Sequence, residues 1–566
     1  MKVSDYIVEF LCNKGLTDVF GYPGGMVTHL MDSFSKYQDR IQAHVSYHEQ
    51  AAAFEACGYA QASDCAGMAY ATSGPGATNL ITGICNAYFD SIPVIFITGQ
   101  VNTFETKGSY SVRQRGFQET DIVSMVQGVT KYAAYVEDAH KIAYHLEKAY
   151  RLAMTVRKGP VLLDIPMNIQ RSEVVAKELI HDCGGQQLCP APNYVSLLES
   201  LHKAKRPCIL LGAGIKNLSK ANVMRFVSHM GMPVLTSMIA VDILEHEHPL
   251  SYGFIGAYGS RTANFVAAKS DLVLALGSRL DVRQVGGKRD LFAPNARLIR
   301  VDIDENELQY HVHDDELVLH ADAQTFMDTL TKIFVPAKDA YQDWLFVCQK
   351  IKQMLRNMDY GVYNQYMQCI SKFVPENAVI TTDVGQNQVW AAQSFEVKHG
   401  QQMLFSGGHG AMGYSLPAAI GAYYATRGPI ISLNGDGGIQ MNLQELAFIQ
   451  REKIPIKIFV FNNYALGMIR HFQEMYFEGR YVQTIEGDGY ATPDFEGIAK
   501  AYGIRYLYYE NPQDVSNEFM RLEGPVLVEV RLKQSTYVFP KLEFGKPNQD
   551  QEPLLERDLY NLLMEL

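Results

Sequence analysis

One stretch limits the possible folds of this chain more than any other. Gly428-Pro429-Ile430-Ile431-Ser432-Leu433 reads as a buried strand arriving at a turn, Asn434-Gly435-Asp436-Gly437-Gly438. Apolar residues at helical spacing follow over 443–449, and 456–461 is a second strand that ends in Asn462-Asn463. In a strand–helix–strand unit both strands put their carboxyl ends on the same edge of the sheet, so Asp436 and Asn463 are expected to meet in space. One carboxylate, one amide oxygen and a backbone carbonyl such as that of Ala465 make a hard, all-oxygen site of the kind Mg²⁺ accepts beside phosphate oxygens. Gly435, Gly437 and Gly438 let backbone N–H groups approach a diphosphate at a helix N-terminus. Taken singly, a Gly-Asp-Gly turn and a solvated Asn-Asn turn are ordinary. At the matching ends of one unit they point to an anion and its cation.

This pattern resembles the diphosphate-binding motif of thiamine diphosphate (ThDP) enzymes. At 566 residues the chain exceeds what one core accommodates, and about three domains or more are expected. The formal net charge of −11 argues against a general nucleic-acid or anionic-membrane binder. No stretch reaches the roughly 18 continuous apolar residues of a spanning helix, and the N-terminal residues show no signal-peptide core. The nine cysteines lack CxxC spacing and read as reduced thiols. A cytoplasmic location is the expectation.

Residues 1–173 alternate helical and strand patterns. Glu49 directly follows a strand and precedes an apolar helix over 51–60, a position that suits either a solvated cap or a buried carboxylate facing a cofactor. Its surroundings decide between them. Tyr47-His48-Glu49-Gln50, Ser73-Gly74-Pro75-Gly76-Ala77-Thr78-Asn79 and Asp90-Ser91-Ile92-Pro93 resemble the pyrimidine-binding domain of acetohydroxyacid (acetolactate) synthases. Phe20-Gly21-Tyr22-Pro23-Gly24-Gly25, Gly116-Phe117-Gln118-Glu119 and Thr130-Lys131 extend the resemblance in the same order. It implies that Glu49 hydrogen-bonds the cofactor aminopyrimidine and that Gly24, Gly25 and Gln118 line the reacting carbonyl. It further implies that Ser73 and Asn79 face the cofactor and that Phe117 and Lys131 lie on the substrate side.

A linker with Gly184-Gly185, Pro190 and Pro192 leads to a second region, 193–335, with four strand-like runs. A doubly wound sheet is expected there. Gly212-Ala213-Gly214 alone is weak support for a dinucleotide. In order and spacing, however, the region resembles the central FAD-binding domain of the same synthases, through Gly212, Gly214, Thr236, Gly277, Arg279, Asp302 and Asp322. The alternative is an empty scaffold, which other ThDP enzymes keep. A third region, 360–536, carries Gln386, Gly410 and Met412, which the resemblance places near the diphosphate and beneath the bent cofactor. The tail, 537–566, reads as extended and then helical. The expected class is α/β, with three doubly wound parallel sheets.

Decarboxylating a 2-keto acid requires an electron sink that no side chain provides and ThDP does. The resemblance implies an enzyme that takes pyruvate as donor, passes the acyl carbanion to a second carbonyl and forms a C–C bond. It also implies a homodimer or homotetramer with active sites at the interface, bound Mg²⁺ and a largely structural FAD. The acceptor is where the sequence departs from the family. Phe472 stands where many synthases carry a tryptophan that selects a small 2-keto acid. Arg470 could offer a planar fork to a phosphate or carboxylate or lie on a solvated helix face, and Val282 replaces an aspartate beside a retained Arg283. Two acceptors stay open: pyruvate, giving acetolactate, or a nucleotide-linked keto sugar, giving a branched sugar. A non-catalytic paralogue would have lost Glu49, Asp436 or Asn463, and all three are present.

Overall fold

The computed structural model describes residues 1–185, 189, 192–356, 358 and 361–566. Pro190 of the expected linker and Tyr360, the expected start of the third region, lie outside them. Continuous apolar runs become strands buried on both faces, as parallel sheets covered by helices require. Strands β1 Asp18–Gly21, β2 Gln42–Val45, β3 Gly67–Ala71, β4 Val94–Gln100, β5 Tyr132–Tyr135 and β6 Val161–Pro166 form the first sheet. The second holds β7 Pro207–Leu211, β8 Val234–Thr236, β9 Ser251–Phe254, β10 Leu272–Leu276, β11 Arg297–Asp302 and β12 Leu317–His320. The third holds β13 Val379–Thr382, β14 Gln402–Phe405, β15 Ile430–Gly435, β16 Lys457–Asn462, β17 Arg505–Tyr509 and β18 Val526–Arg531.

Among the described residues these make three six-stranded sheets, ordered β2-β1-β3-β4-β6-β5, β12-β11-β10-β7-β8-β9 and β14-β13-β15-β16-β18-β17. The strand pairings are parallel throughout, for instance Leu433 beside Phe459 and Gly435 beside Phe461. The middle sheet has the order of a dinucleotide-binding fold, with its switch point between β7 and β10.

The first and third sheets share one core. Phe20, Phe54 and Ile84 are continuous with Tyr414, Leu446 and Phe448. Two helices form the seam, Glu49–Ala62 and Ser415–Thr426, both buried along most of their length. They cross at glycine: a Cβ on Gly58 would collide with the Ala418 carbonyl, and one on Gly421 with the Glu55 carbonyl. That close crossing fixes the start of the first helix, and with it Glu49.

The tail folds back on the central domain. Leu542 N donates to Ala257 O at 2.7 Å, and the buried Arg261 guanidinium donates to Gln551 O at 3.0 Å and Pro553 O at 2.6 Å. A final helix, Arg557–Glu565, packs Tyr560 against Phe265. Among the described residues no helix is long and apolar enough to cross a membrane.

Candidate active site

Asp436 opens a short helix, Asp436–Ile439, at the carboxyl end of β15, and Asn463 follows β16 directly. Strand adjacency brings the two together, as the sequence pattern requires. Burial pushes the Asp436 carboxyl up to about 7, against the opposing donors Tyr490, Gly437 N, Ala465 N and Tyr464 N. A nearby cation would reverse that shift.

The Asn463 amide reports on what belongs there. Its Nδ2 donates to Thr536 Oγ1 at 2.6 Å, and Thr536 Oγ1 donates to Gln386 Oε1 at 2.5 Å. This chain of bonds turns the Asn463 oxygen toward two other acceptors, Asp436 Oδ2 at 3.2 Å and Ala465 O at 2.8 Å. Without a cation, hydrogen bonding alone favours the swapped amide; Gln386 Oε1 would then lose its donor. Three oxygens facing one another with no proton between them suit a small divalent ion. The two spacings from the Asn463 oxygen, 3.2 and 2.8 Å, are close to the about 2.9 Å that separates neighbouring oxygens on one Mg²⁺ with bonds of about 2.0–2.1 Å. The set is one carboxylate, one amide and one carbonyl. Among the described residues no cluster of three His, Cys, Asp or Glu side chains is placed to hold a metal.

Beside this triad lies a cavity of about 400 Å³, lined by Gln386, Gly410, Met412, Gly435, Asp436, Gly437, Gly438, Asn463 and Ala465 and, from the central domain, by Tyr258 and Arg283. Gly438 has a specific reason to be glycine, because a Cβ there would lie 2.7 Å from Asp383 Cγ. Asp383, buried and pushed up to about 7 by that burial, accepts from Gly413 N at 3.0 Å and Val384 N at 2.7 Å. It thereby holds the turn carrying Met412 against the Gly-Asp-Gly turn. Met412 Cε stands 3.3 Å from where a Gly437 Cβ would be. Backbone N–H groups at a helix start, a glycine cradle and a cation triad together fit a diphosphate and its Mg²⁺.

None of the described residues 1–173 lines this cavity. Glu49 is buried at the start of its helix, where Asn79 Nδ2 donates to its Oε2 at 2.9 Å and Oε1 borders Gly76. Among the described residues Ser73 Oγ is buried with no hydrogen-bond partner. Gln118 takes a left-handed φ of 64° against Gly74, while Phe117 beside it is largely exposed. Gly24 packs on Thr72, and Gly25 faces open space. These residues share the carboxyl edge of the first sheet. Lys131 does not join them: its ammonium donates to Thr155 O at 2.8 Å and Arg157 O at 2.6 Å, and burial pushes it down to about 8.

At the central switch point a crevice is lined by Ala213, Ser237, Gly277 and Arg279. Among the described residues Ser237 Oγ is buried there without a partner, as is Gln402 Oε1 in the adjoining cavity between the three domains. Unsatisfied polar atoms along such a crevice fit a polar cofactor of FAD type. Gly212 and Gly214 pack on the Gly277 backbone, so close strand-end contact accounts for them. Thr236 ends β8 next to Ser237. Asp302 accepts from Asp304 N at 2.9 Å, and Asp322 is spent as a helix cap, accepting from Thr325 N at 2.8 Å.

The acceptor-side residues lie on or near the helix Gly467–Tyr476. Arg470 is buried at 5% exposure, not on a solvated face; it pairs with Glu474 at 2.9 Å between the Tyr481 and Tyr537 rings. Phe472 is 47% exposed, and among the described residues its ring contacts are to Tyr476 and Phe477. Sequence reasoning missed Asp383, Tyr490 and Thr536. The last two reach the site from 54 and 73 residues away in the chain, with no local pattern to mark them.

Three family models match the chain in order. They are the N-terminal TPP binding domain of thiamine pyrophosphate enzymes over residues 1–125, the central domain over 196–330 and the C-terminal TPP binding domain over 383–530. Similar proteins include the acetolactate synthase large subunit of Lactococcus lactis subsp. lactis, 34% identical over 96% of this chain and 94% of that protein. The acetolactate synthase isozyme 2 large subunit of Escherichia coli K12 is 32% identical over 97% and 99% of the two chains. The probable acetolactate synthase large subunit of Methanocaldococcus jannaschii is 33% identical over 92% and 89%.

Proposed function

Because this chain belongs to the acetolactate synthase large-subunit family of thiamine diphosphate enzymes, we propose that it decarboxylates pyruvate and joins the two-carbon unit to a second carbonyl compound. The observation that carries this reading is the oxygen triad of Asp436, Asn463 and Ala465 beside the glycine cradle. These residues would hold Mg²⁺ and, through it, the cofactor diphosphate, with Met412 bracing the cofactor from the neighbouring turn. Bound ThDP supplies the electron sink for decarboxylation. Glu49, oriented by Asn79, would hold and pass a proton at Oε1. Gln118, held near Ser73 and Gly74 by its backbone, would orient the reacting carbonyl. The central crevice would hold FAD, which a carbon–carbon transfer without net redox change does not consume.

Glu49 and the Asp436 cavity belong to different domains, and no N-terminal residue lines that cavity in the single chain. We therefore read the active site as split, with Glu49 brought to Asp436 by a second copy. Pyruvate as acceptor gives 2-acetolactate. A keto sugar is the second reading, favoured by Phe472, which leaves its end of the helix half-open. Mass spectrometry of products from labelled pyruvate, with ThDP, Mg²⁺ and FAD, tests both. Rapid labelled acetolactate supports the first; label transferred efficiently to an added nucleotide-linked keto sugar supports the second. No product from either mixture contradicts the proposal.

A further inference from the structure

Asp436 presents two unlike oxygens. Oδ1 accepts from Gly437 N at 2.7 Å and from the Tyr490 hydroxyl at 3.1 Å. Oδ2 is the oxygen turned toward the Asn463 side chain. A carboxylate whose one oxygen is occupied by donors is oriented to give the other to a cation. Gly437 N belongs to the Gly-Asp-Gly turn itself. Tyr490 comes from outside the strand–helix–strand unit, and its approach is built.

Ile485 pairs with Ala465, and Leu466 N donates to Thr484 O at 2.9 Å. Thr484 Oγ1 donates to Gln473 Oε1 at 2.5 Å, which ties the segment to the helix Gly467–Tyr476. A turn through Gly487 and Gly489, both at positive φ, then returns the chain to Tyr490. Room for the hydroxyl exists because residue 437 is glycine: a Cβ there would lie 3.1 Å from the Tyr490 oxygen. The segment 484–490 thus touches the oxygen triad twice, at the Asp436 carboxylate and at the Ala465 backbone.

We infer that Tyr490 is a positioning residue for the cation site. Its O–H holds Asp436 Oδ1 so that Oδ2 faces the ion, while the bond from Leu466 N to Thr484 O fixes the peptide unit that carries the Ala465 carbonyl. The inference rests on reading Asp436 and Asn463 as cation ligands. It also joins the helix carrying Phe472 to the cofactor end of the site, through Thr484 and Gln473.

The test is calorimetric titration of Mg²⁺ into the metal-stripped, full-length protein with saturating ThDP, for wild type and Tyr490→Phe. Thermal unfolding of both metal-free proteins runs alongside. The Phe variant removes one oxygen and keeps the ring. The expected result is a Mg²⁺ dissociation constant raised about ten-fold, the lower end of what orienting partners of metal ligands contribute. Equal dissociation constants overturn the inference, and so does a lowered unfolding midpoint with unchanged Mg²⁺ affinity, which would make Tyr490 a packing residue. Failure of the wild type to take up Mg²⁺ with ThDP would instead overturn the cation reading itself, before any variant is compared.

Discussion

Counted from their own first strands, the N-terminal and C-terminal sheets follow the same order, with the first strand between the second and third and the last two exchanged. Their carboxyl edges nevertheless carry different chemistry. After β3 comes Ser73-Gly74-Pro75-Gly76, while at the corresponding end of β15 comes Asp436-Gly437-Gly438. At the end of β4, Gln100 turns inward and donates to Asp164 at 3.0 Å; after β16, Asn463 turns to Asp436. After β2 stands Glu49, heading the buried helix of the seam. A shared sheet sets where the loops gather, and the residues on those loops set what gathers there. One edge offers an oriented carboxyl group, the other a cation triad and an anion cradle.

The largest effect is expected at the cation edge. Asp436→Ala removes a ligand outright, and calorimetry should show Mg²⁺-dependent ThDP affinity lost by more than about 100-fold, beyond what orienting partners alone contribute. Unchanged cofactor affinity would erase the difference between the two edges. At the other edge, Glu49→Gln should leave ThDP bound but lower steady-state turnover about 10²–10⁴-fold, the usual weight of a positioned proton-transfer group. Near-normal turnover would deny that edge its role.

A smaller contrast concerns the glycines. Gly438→Ala places a methyl group 2.7 Å from Asp383 Cγ and should cost about 1–3 kcal/mol, visible as a lowered thermal midpoint. Gly25→Ala enters open space and should leave the midpoint where it is. The smallest effect is expected at Phe472→Trp, which should shift product ratios toward acetolactate in competition between pyruvate and a keto sugar. An equal loss of both products would make Phe472 a general packing residue.

The inner strands were legible because they are buried on both faces and so read as unbroken apolar runs, β10 and β16 above all. In the central sheet the edge strands β9 and β12 were not, because half-exposed positions interrupt Ser251–Phe254 and Leu317–His320. The meeting of Asp436 with Asn463 followed from strand adjacency alone. Thr536 did not, although it sets the direction of the Asn463 amide: its partners Asn463 and Gln386 lie 73 and 150 residues away. Arg470 shows the opposite limit. A basic residue on an amphipathic helix suits a ligand fork or a solvated face equally in the sequence, and the fold instead encloses it with Glu474, Tyr481 and Tyr537. Close backbone packing was equally hidden; Gly212 and Gly214 suggest ligand approach in a sequence, while in the fold they meet Gly277.

The division of labour between the two edges is tested most directly by mixing two inactive proteins. Glu49→Gln and Asp436→Ala would each be purified, unfolded or dissociated, combined in equal amounts and reassembled, and carboligation of pyruvate followed. If each active site takes Glu49 from one copy and Asp436 from another, random pairing leaves one intact site in half the dimers, and activity should recover to about a quarter of wild type. A mixture that forms mixed oligomers yet stays as inactive as its parents would contradict a site shared between two copies.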